Sequence, residues 1–149
     1  MVLNFARCIA LLVLPWLTLG VSRAEETFLP PNVAYKYTVE ATQGNVLVRI
    51  DIQPGYYLYR DRLGMESATP GVTIGAPSVP VGEDHEDQYF GKQVIYRGDI
   101  AVAAKLEFDG PPRPFDLTLK LQGCADAGLC YPPQRWTSRV EVAAKDVAA

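Results

Sequence analysis

Apolar residues recur at every second position through much of this chain, and a period of two marks half-buried strands. Val46, Val48, Ile50 and Ile52 alternate with Leu47, Arg49, Asp51 and Gln53. Phe115, Leu117, Leu119 and Leu121 alternate with Asp116, Thr118, Lys120 and Gln122. Trp136, Ser138, Val140 and Val142 alternate with Thr137, Arg139 and Glu141. Residues 35–41 and 56–60 add two aromatic-rich strands. Residues 93–96 and 100–108 read as two more, joined as a hairpin through Arg97-Gly98-Asp99.

No stretch keeps a helical apolar stripe for a dozen residues. The 12 prolines and 12 glycines fall mostly between the strand runs, where turns are needed. Short strands with regular turn signals predict an all-β chain, an immunoglobulin-like antiparallel β-sandwich. Residues 143–149 read as a frayed tail or the start of a linker.

The N-terminus reads differently. Arg7 supplies a positive charge, residues 8–19 are almost wholly apolar, and Ser22-Arg23-Ala24 ends in a small-x-small pattern. That is the form of a secretory signal peptide over residues 1–24, cleaved after Ala24. The apolar run is too short, and too interrupted by Pro15, for a good membrane span. Residues 25–149 then form a single domain, long enough to fold on its own core. Without Arg7 and Arg23 it carries 12 basic and 17 acidic residues, a net charge of −5. That balance argues against nucleic acid and anionic membrane surfaces as partners.

Cleavage also removes Cys8, which leaves Cys124 and Cys130. They lie in Gly123-Cys124-Ala125-Asp126-Ala127-Gly128-Leu129-Cys130-Tyr131-Pro132-Pro133. A short loop rich in Gly, Ala and Asp can bend back far enough to bring two Cβ atoms to bonding distance. Export places the pair where disulfides form and persist. A loop of seven residues, both cysteines included, gains roughly 2 kcal/mol from cross-linking in the chain-entropy account. A staple would do more between distant strands, which weakens a purely structural reading without removing it.

Two other segments are unusual for plain sandwich packing. In Gly55-Tyr56-Tyr57-Leu58-Tyr59-Arg60, Tyr57 and Tyr59 share one strand face, and Tyr56 and Leu58 take the other. His85-Glu86-Asp87-Gln88-Tyr89-Phe90-Gly91-Lys92 reads as a polar loop carrying two adjacent aromatics. A closed zinc site is a poor fit, since Cys124, Cys130 and His85 supply three ligands where four are wanted. His85 reads as a loop hydrogen-bonder. Acyl transfer by a Cys–His pair lacks anything resembling an oxyanion-hole motif.

These segments, with Ile95-Tyr96-Arg97 and Gln122 ahead of the cysteine run, resemble the N-terminal periplasmic domain of the thiol:disulfide interchange protein DsbD. They occur in that family's order, over roughly residues 28–142. The resemblance implies an immunoglobulin-like domain with a redox-active cysteine pair and no cofactor. It implies electrons arriving from a thioredoxin-like donor and passing to periplasmic thioredoxin-fold proteins, such as a disulfide isomerase and a cytochrome c maturation factor. Cys130 resembles the cysteine that forms the mixed disulfide, and Cys124 its resolving partner. Asp87, Gln88, Tyr89, Phe90 and Gly91 match the cap loop, with Tyr89 at the shielding aromatic where the best-known members carry Phe. Tyr57 and Tyr59 match aromatics lining the site. In that family the protein continues into membrane and thioredoxin-like domains, whereas the sequence here stops at Ala149, so its donor is expected to be another polypeptide, thioredoxin-like or membrane-bound, or absent. The alternative is a non-catalytic sandwich that binds partners and keeps a structural disulfide.

Overall fold

The computed structural model describes residues 27–143. The expected signal peptide and residues 144–149 lie outside the described residues. Twelve strands follow a short helix, α1 (Pro31–Ala34). They are β1 (Tyr35–Thr42), β2 (Asn45–Ile52), β3 (Tyr56–Tyr59), β4 (Gly64–Ser67), β5 (Val72–Ile74) and β6 (Glu83–Asp87). The remainder are β7 (Gly91–Tyr96), β8 (Gly98–Phe108), β9 (Phe115–Leu121), β10 (Gly123–Ala125), β11 (Gln134–Val140) and β12 (Val142–Ala143).

The strands form three sheets, ordered β12-β1-β2-β8-β5, β10-β3-β7-β6 and β11-β9-β4. The second and third are nearly continuous, because β9 and β10 are one run broken at Gln122. The Gln122 carbonyl still accepts the Tyr59 amide at 3.0 Å. The alternating residues read from the sequence meet in one core. Val46, Val48, Ile50, Val102, Ala104 and Leu106 of the first sheet pack with Phe115, Leu117, Leu119 and Leu121 of the third and Leu58 of the second. The result is an immunoglobulin-like β-sandwich with hydrophobic faces turned inward.

The structure corrects several readings. Arg97-Gly98-Asp99 does not close a hairpin. β7 pairs with β3 and β6, whereas β8 pairs with β2 and β5, so the chain changes sheets there. Gly98 takes a φ of +65° at the corner, a conformation glycine adopts without strain. On the far side of that corner β8 joins the first sheet and turns Val102, Ala104 and Leu106 into the common core.

The all-polar run ending in His85-Glu86-Asp87 is not a loop but strand β6, paired with β7 from Glu83↔Ile95 to Asp87↔Gly91. It has no apolar alternation because it is an edge strand, and edges are commonly blunted with charge. Arg60 begins a single 3-10 turn, Arg60–Arg62, and does not extend β3. One pair is parallel, β12 on β1, with Val142 opposite Ala41 and Ala143 opposite Thr42.

Three tyrosines of the core support β3 and β10 from below. Tyr35 is fully buried and stands edge-on to Tyr56 and Tyr131, with centroids at 6.3 and 5.9 Å. Its hydroxyl donates to the Tyr57 carbonyl at 3.2 Å and to the Cys124 carbonyl at 3.4 Å. β10 approaches so closely that a Cβ at Gly123 would meet the Tyr57 carbonyl oxygen at 2.1 Å and the Tyr35 hydroxyl at 2.5 Å. Gly123→Ala is therefore expected to destabilise the domain by about 1–3 kcal/mol, as overpacking does. Thermal unfolding checks this; a melting temperature within about 1 °C of wild type would contradict the close packing.

Candidate functional site

Cys124 is the middle residue of β10, and the chain returns after a tight turn so that Cys130 lies opposite it. The Ala125 amide donates to the Leu129 carbonyl at 2.7 Å, and the Gly128 amide to the Ala125 carbonyl at 3.0 Å. Gly128 adopts a φ of +101°, which the turn requires and which explains a glycine there. The Tyr131 amide closes the return on the Gly123 carbonyl at 3.0 Å. The two cysteines are disulfide-bonded with Cα atoms 4.0 Å apart. They are not equivalent: Cys124 is fully buried, whereas Cys130 is half-buried at the rim.

The wall behind the sulfurs comes from β3 and β7. Tyr57, Tyr59, Ile95 and Cys124 form a small buried cluster separate from the main core, with Cys130 packed against it. The Tyr59 hydroxyl lies 3.1 Å from Cys124 Sγ and 3.8 Å from Cys130 Sγ. It also lies 2.6 Å from Asp87 Oδ2. A phenol has one proton to give, and the carboxylate is the closer and stronger acceptor. Tyr59 therefore donates to Asp87 and turns its oxygen lone pairs toward the sulfurs. Burial, and then the bond to Asp87, push the Tyr59 hydroxyl far above its ordinary pKa, so it stays protonated.

Asp87 ends β6 and is the hub of the site. Its side chain is 8% exposed. Oδ1 accepts the backbone amides of Tyr89 and Phe90, each at 2.8 Å. Oδ2 accepts Tyr59 and, at 3.4 Å, Tyr57. His85 Nε2 stands 3.9 Å from the same oxygen, and its ring packs on Tyr57 with centroids 4.7 Å apart. Burial alone would raise the pKa of Asp87, but the bonds from Tyr59, Phe90 and Tyr89 outweigh it and hold the carboxyl below its ordinary value.

The β6–β7 connection covers this arrangement. Gln88, Tyr89 and Phe90 form the turn, and Gly91 begins β7 with a φ of +69°. The Tyr89 hydroxyl donates to the Gly128 carbonyl, linking the turn to the cysteine loop. Phe90 meets the Tyr59 ring edge-on at 5.1 Å and lies under the Arg62 guanidinium, also at 5.1 Å. Both aromatics remain well exposed, Tyr89 at 42% and Phe90 at 37%, and Gln88 is exposed as well. The covering turn is thus held by a few bonds and little buried area.

Of the residues expected from the sequence, Tyr57 and Tyr59 lie on β3, Cys124 on β10 with Cys130 opposite it, Asp87 at the end of β6, Gln88, Tyr89 and Phe90 in the turn, and Gly91 at the start of β7. Sequence reasoning gave no role to Arg97 or Asp126. Arg97 forms a two-pronged pair with Asp126 inside the cysteine loop, at 2.9 and 3.0 Å. Both residues stood in the quoted motifs, but nothing in one dimension pairs positions 29 apart. Sequence reasoning singled out Tyr89 as the shielding aromatic; Tyr89 bonds the cysteine loop, and it is Phe90 that packs on Tyr59.

Comparison with known proteins agrees with the geometry. Residues 25–142 match the family described as thiol:disulfide interchange protein DsbD, N-terminal. The chain is 37% identical over 110 residues to the thiol:disulfide interchange protein DsbD of Cronobacter sakazakii, covering 74% of this chain and 18% of that protein. It is 36% identical over 143 residues to the DsbD of Ralstonia nicotianae, covering 94% of this chain and 23% of that protein. It thus spans about a fifth of these relatives' length.

Among solved structures, the reduced N-terminal domain of Neisseria meningitidis DsbD superposes with a TM-score of 0.70 at 33% identity. That match covers 76% of this chain and 90% of the Neisseria domain. The complex of the Neisseria DsbD and PilB N-terminal domains matches with a TM-score of 0.61 at 32% identity, over 75% of this chain and 86% of that one. With both cysteines, β3 and the covering turn inside the matched span, the chain belongs to the family of the N-terminal domain of the thiol:disulfide interchange protein DsbD.

Proposed function

We propose that this domain is an exported, periplasmic thiol–disulfide exchange module. In this reading residues 1–24 are removed and residues 25–149 work in the periplasm. Electrons enter from a thioredoxin-like donor and leave to oxidised thioredoxin-fold partners. A disulfide isomerase and a cytochrome c maturation factor are the partner types the family suggests. The Neisseria DsbD N-terminal domain was solved with the PilB N-terminal domain, which favours docking through a protein partner here too. The observation that carries the proposal is the inequality of the two sulfurs. A fully buried Cys124 and a half-buried Cys130 sit beneath a turn held by few bonds.

The chemistry follows from that inequality. In the dithiol form, Cys130 as thiolate attacks a partner disulfide nearly in line. A mixed disulfide forms, and the partner's other sulfur leaves as a thiolate. Cys124 then loses its proton and attacks Cys130 Sγ, expelling the partner's second sulfur. Two electrons pass to the partner, and the Cys124–Cys130 disulfide is restored. The donor's dithiol recharges the pair by the reverse steps.

Between turnovers the same wall protects the reduced pair. With the Tyr59 proton committed to Asp87, a Cys124 thiol can donate to the Tyr59 oxygen. The chain thiol to phenol to carboxylate favours the neutral thiol, and the nearby negative charge does the same. The turn 88–90 limits access by small oxidants. A docking partner has the Tyr89–Gly128 bond, the two turn amides on Asp87 and two half-exposed rings to displace.

Three outcomes follow. Reduced Tyr89→Ala is expected to oxidise several-fold faster with glutathione disulfide than wild type, followed by thiol alkylation; an unchanged rate would remove Tyr89 from the shield. A glutathione redox titration of residues 25–149 is expected to give a potential between about −270 and −180 mV, the range of exchange proteins. A value below about −300 mV would mean a structural bond.

The third concerns pH. Asp87 has a folded pKa below the ordinary 3.8, so its carboxylate stabilises the fold fully above that ordinary value. The contribution disappears as pH falls through the folded value. The stability gap between wild type and Asp87→Asn should accordingly be constant near neutrality and close below about pH 4. Urea unfolding at several pH values measures it, and a gap that widens in acid would reverse the assignment.

A further inference from the structure

Arg97 sits between β7 and β8, and its guanidinium makes four hydrogen bonds. Nε donates to Glu83 at 2.9 Å, at the start of β6. Nη1 and Nη2 grip Asp126 Oδ2 and Oδ1 at 3.0 and 2.9 Å. Nη1 also reaches the Tyr56 carbonyl at 3.5 Å, and the guanidinium carbon lies 5.2 Å from the centre of the Tyr57 ring. One side chain thus joins β6, β3 and the loop that carries both sulfurs. Asp126 is anchored a second time, through its amide to the Gly55 carbonyl at 2.9 Å.

The grip matters most when the disulfide is open. The loop's own bonds are the turn from Ala125 to Leu129 and the Tyr131–Gly123 bond. The Tyr89 contact adds to these but belongs to the turn that partners must displace. The Arg97–Asp126 fork depends neither on the S–S bond nor on the covering turn, and planar, two-pronged geometry is what arginine holds best.

We propose that Arg97, acting through Asp126, is a positioning residue that sets the dithiol–disulfide balance of the pair. It holds the reduced loop in ring-closing geometry. Two thiols already held together lose less freedom on closure than two on a slack loop. The fork therefore favours the disulfide and makes the dithiol the stronger reductant. The proposal rests on the exchange reading, in which the pair cycles between the two forms.

The test is the equilibrium of residues 25–149 with glutathione at pH 7. In it the protein dithiol and one glutathione disulfide become the protein disulfide and two glutathione molecules. The cysteine sulfurs give up two electrons and two protons, and glutathione takes them. Wild type is compared with Arg97→Gln, Arg97→Lys, Asp126→Asn and the Arg97→Gln/Asp126→Asn pair. Each single change is expected to lower the constant for disulfide formation by about fivefold, the scale of a well-formed exposed ion pair. The double change should lower it no further than the deeper single one, because both remove the same fork.

The charge-only alternative has a different signature. Removing the cation alone would disfavour thiolate and raise the constant, while removing the anion would lower it. An Arg97→Gln constant above wild type would therefore overturn the proposal. So would constants equal to wild type accompanied by lower melting temperatures, since that is an ordinary structural ion pair. If wild type yields only to dithiothreitol, the exchange reading fails, while the ratio of variant to wild type in that buffer still reads the fork.

Discussion

Strand β3 is four residues long, and all four side chains are buried. A pleated strand sends neighbours to opposite sides, so burying every residue requires two separate fillings. Tyr56 and Leu58 enter the main core beside Tyr35 and Tyr131. Tyr57 and Tyr59 enter the second cluster, with Ile95 and Cys124. The fold on one side fixes the position of β3, and β3 in turn fixes the tyrosine hydroxyls against the sulfurs on the other. The register Cys124↔Tyr57 and Gly123↔Leu58 carries that precision into the cysteine loop. A one-residue slip would reverse both faces at once.

The cover over the site is built with the opposite logic. Its base is firm: β6 and β7 are paired along five positions, and Arg97 ties them to the loop. Its tip has two exposed rings and a single bond to Gly128. Asp87 lies at the boundary, with one carboxylate oxygen facing the tip's amides and the other facing Tyr59. Lifting the tip removes two donors from Oδ1 and leaves Oδ2 in place. The tip can move without dismantling the wall behind the sulfurs, because the two tasks fall on different oxygens of one residue.

Much of this was legible in one dimension. Period two found β2, β9 and most of β11, since each has one wet face and one dry face, while aromatic-rich and hairpin-like runs marked β1, β3, β7 and β8. It failed at β6, whose Glu83-Asp84-His85-Glu86-Asp87 has no dry alternation because an edge strand needs none. It failed again at Arg97-Gly98, where two adjacent strand runs looked like a hairpin but belong to different sheets. Short turns record that the chain bends, not which sheet it joins next. The site residues were legible through motif resemblance, because Gly128 and the cysteine spacing encode a local turn. The Arg97–Asp126 fork was not, since an ion pair across sheets leaves no local pattern.

The scaffold also explains why this pair is spaced by five residues and not by two. In Cys-x-x-Cys proteins a helix N-terminus lowers the pKa of the exposed cysteine and makes it reactive at rest. Among the described residues the only α-helix is Pro31–Ala34, and it does not hold the cysteines. Cys124 faces instead a phenol whose proton is committed to a carboxylate. Both features favour the resting thiol. In the proposed exchange, reactivity must then come from access more than from acidity. A longer loop serves that purpose, because it lets one sulfur remain fully buried while the other stands at the rim. The β-hairpin does this here, and it needs its extra residues for the turn that Gly128 makes possible. The cost is a dithiol on a loop that could slacken when reduced, which is the weakness the Arg97–Asp126 fork is placed to offset.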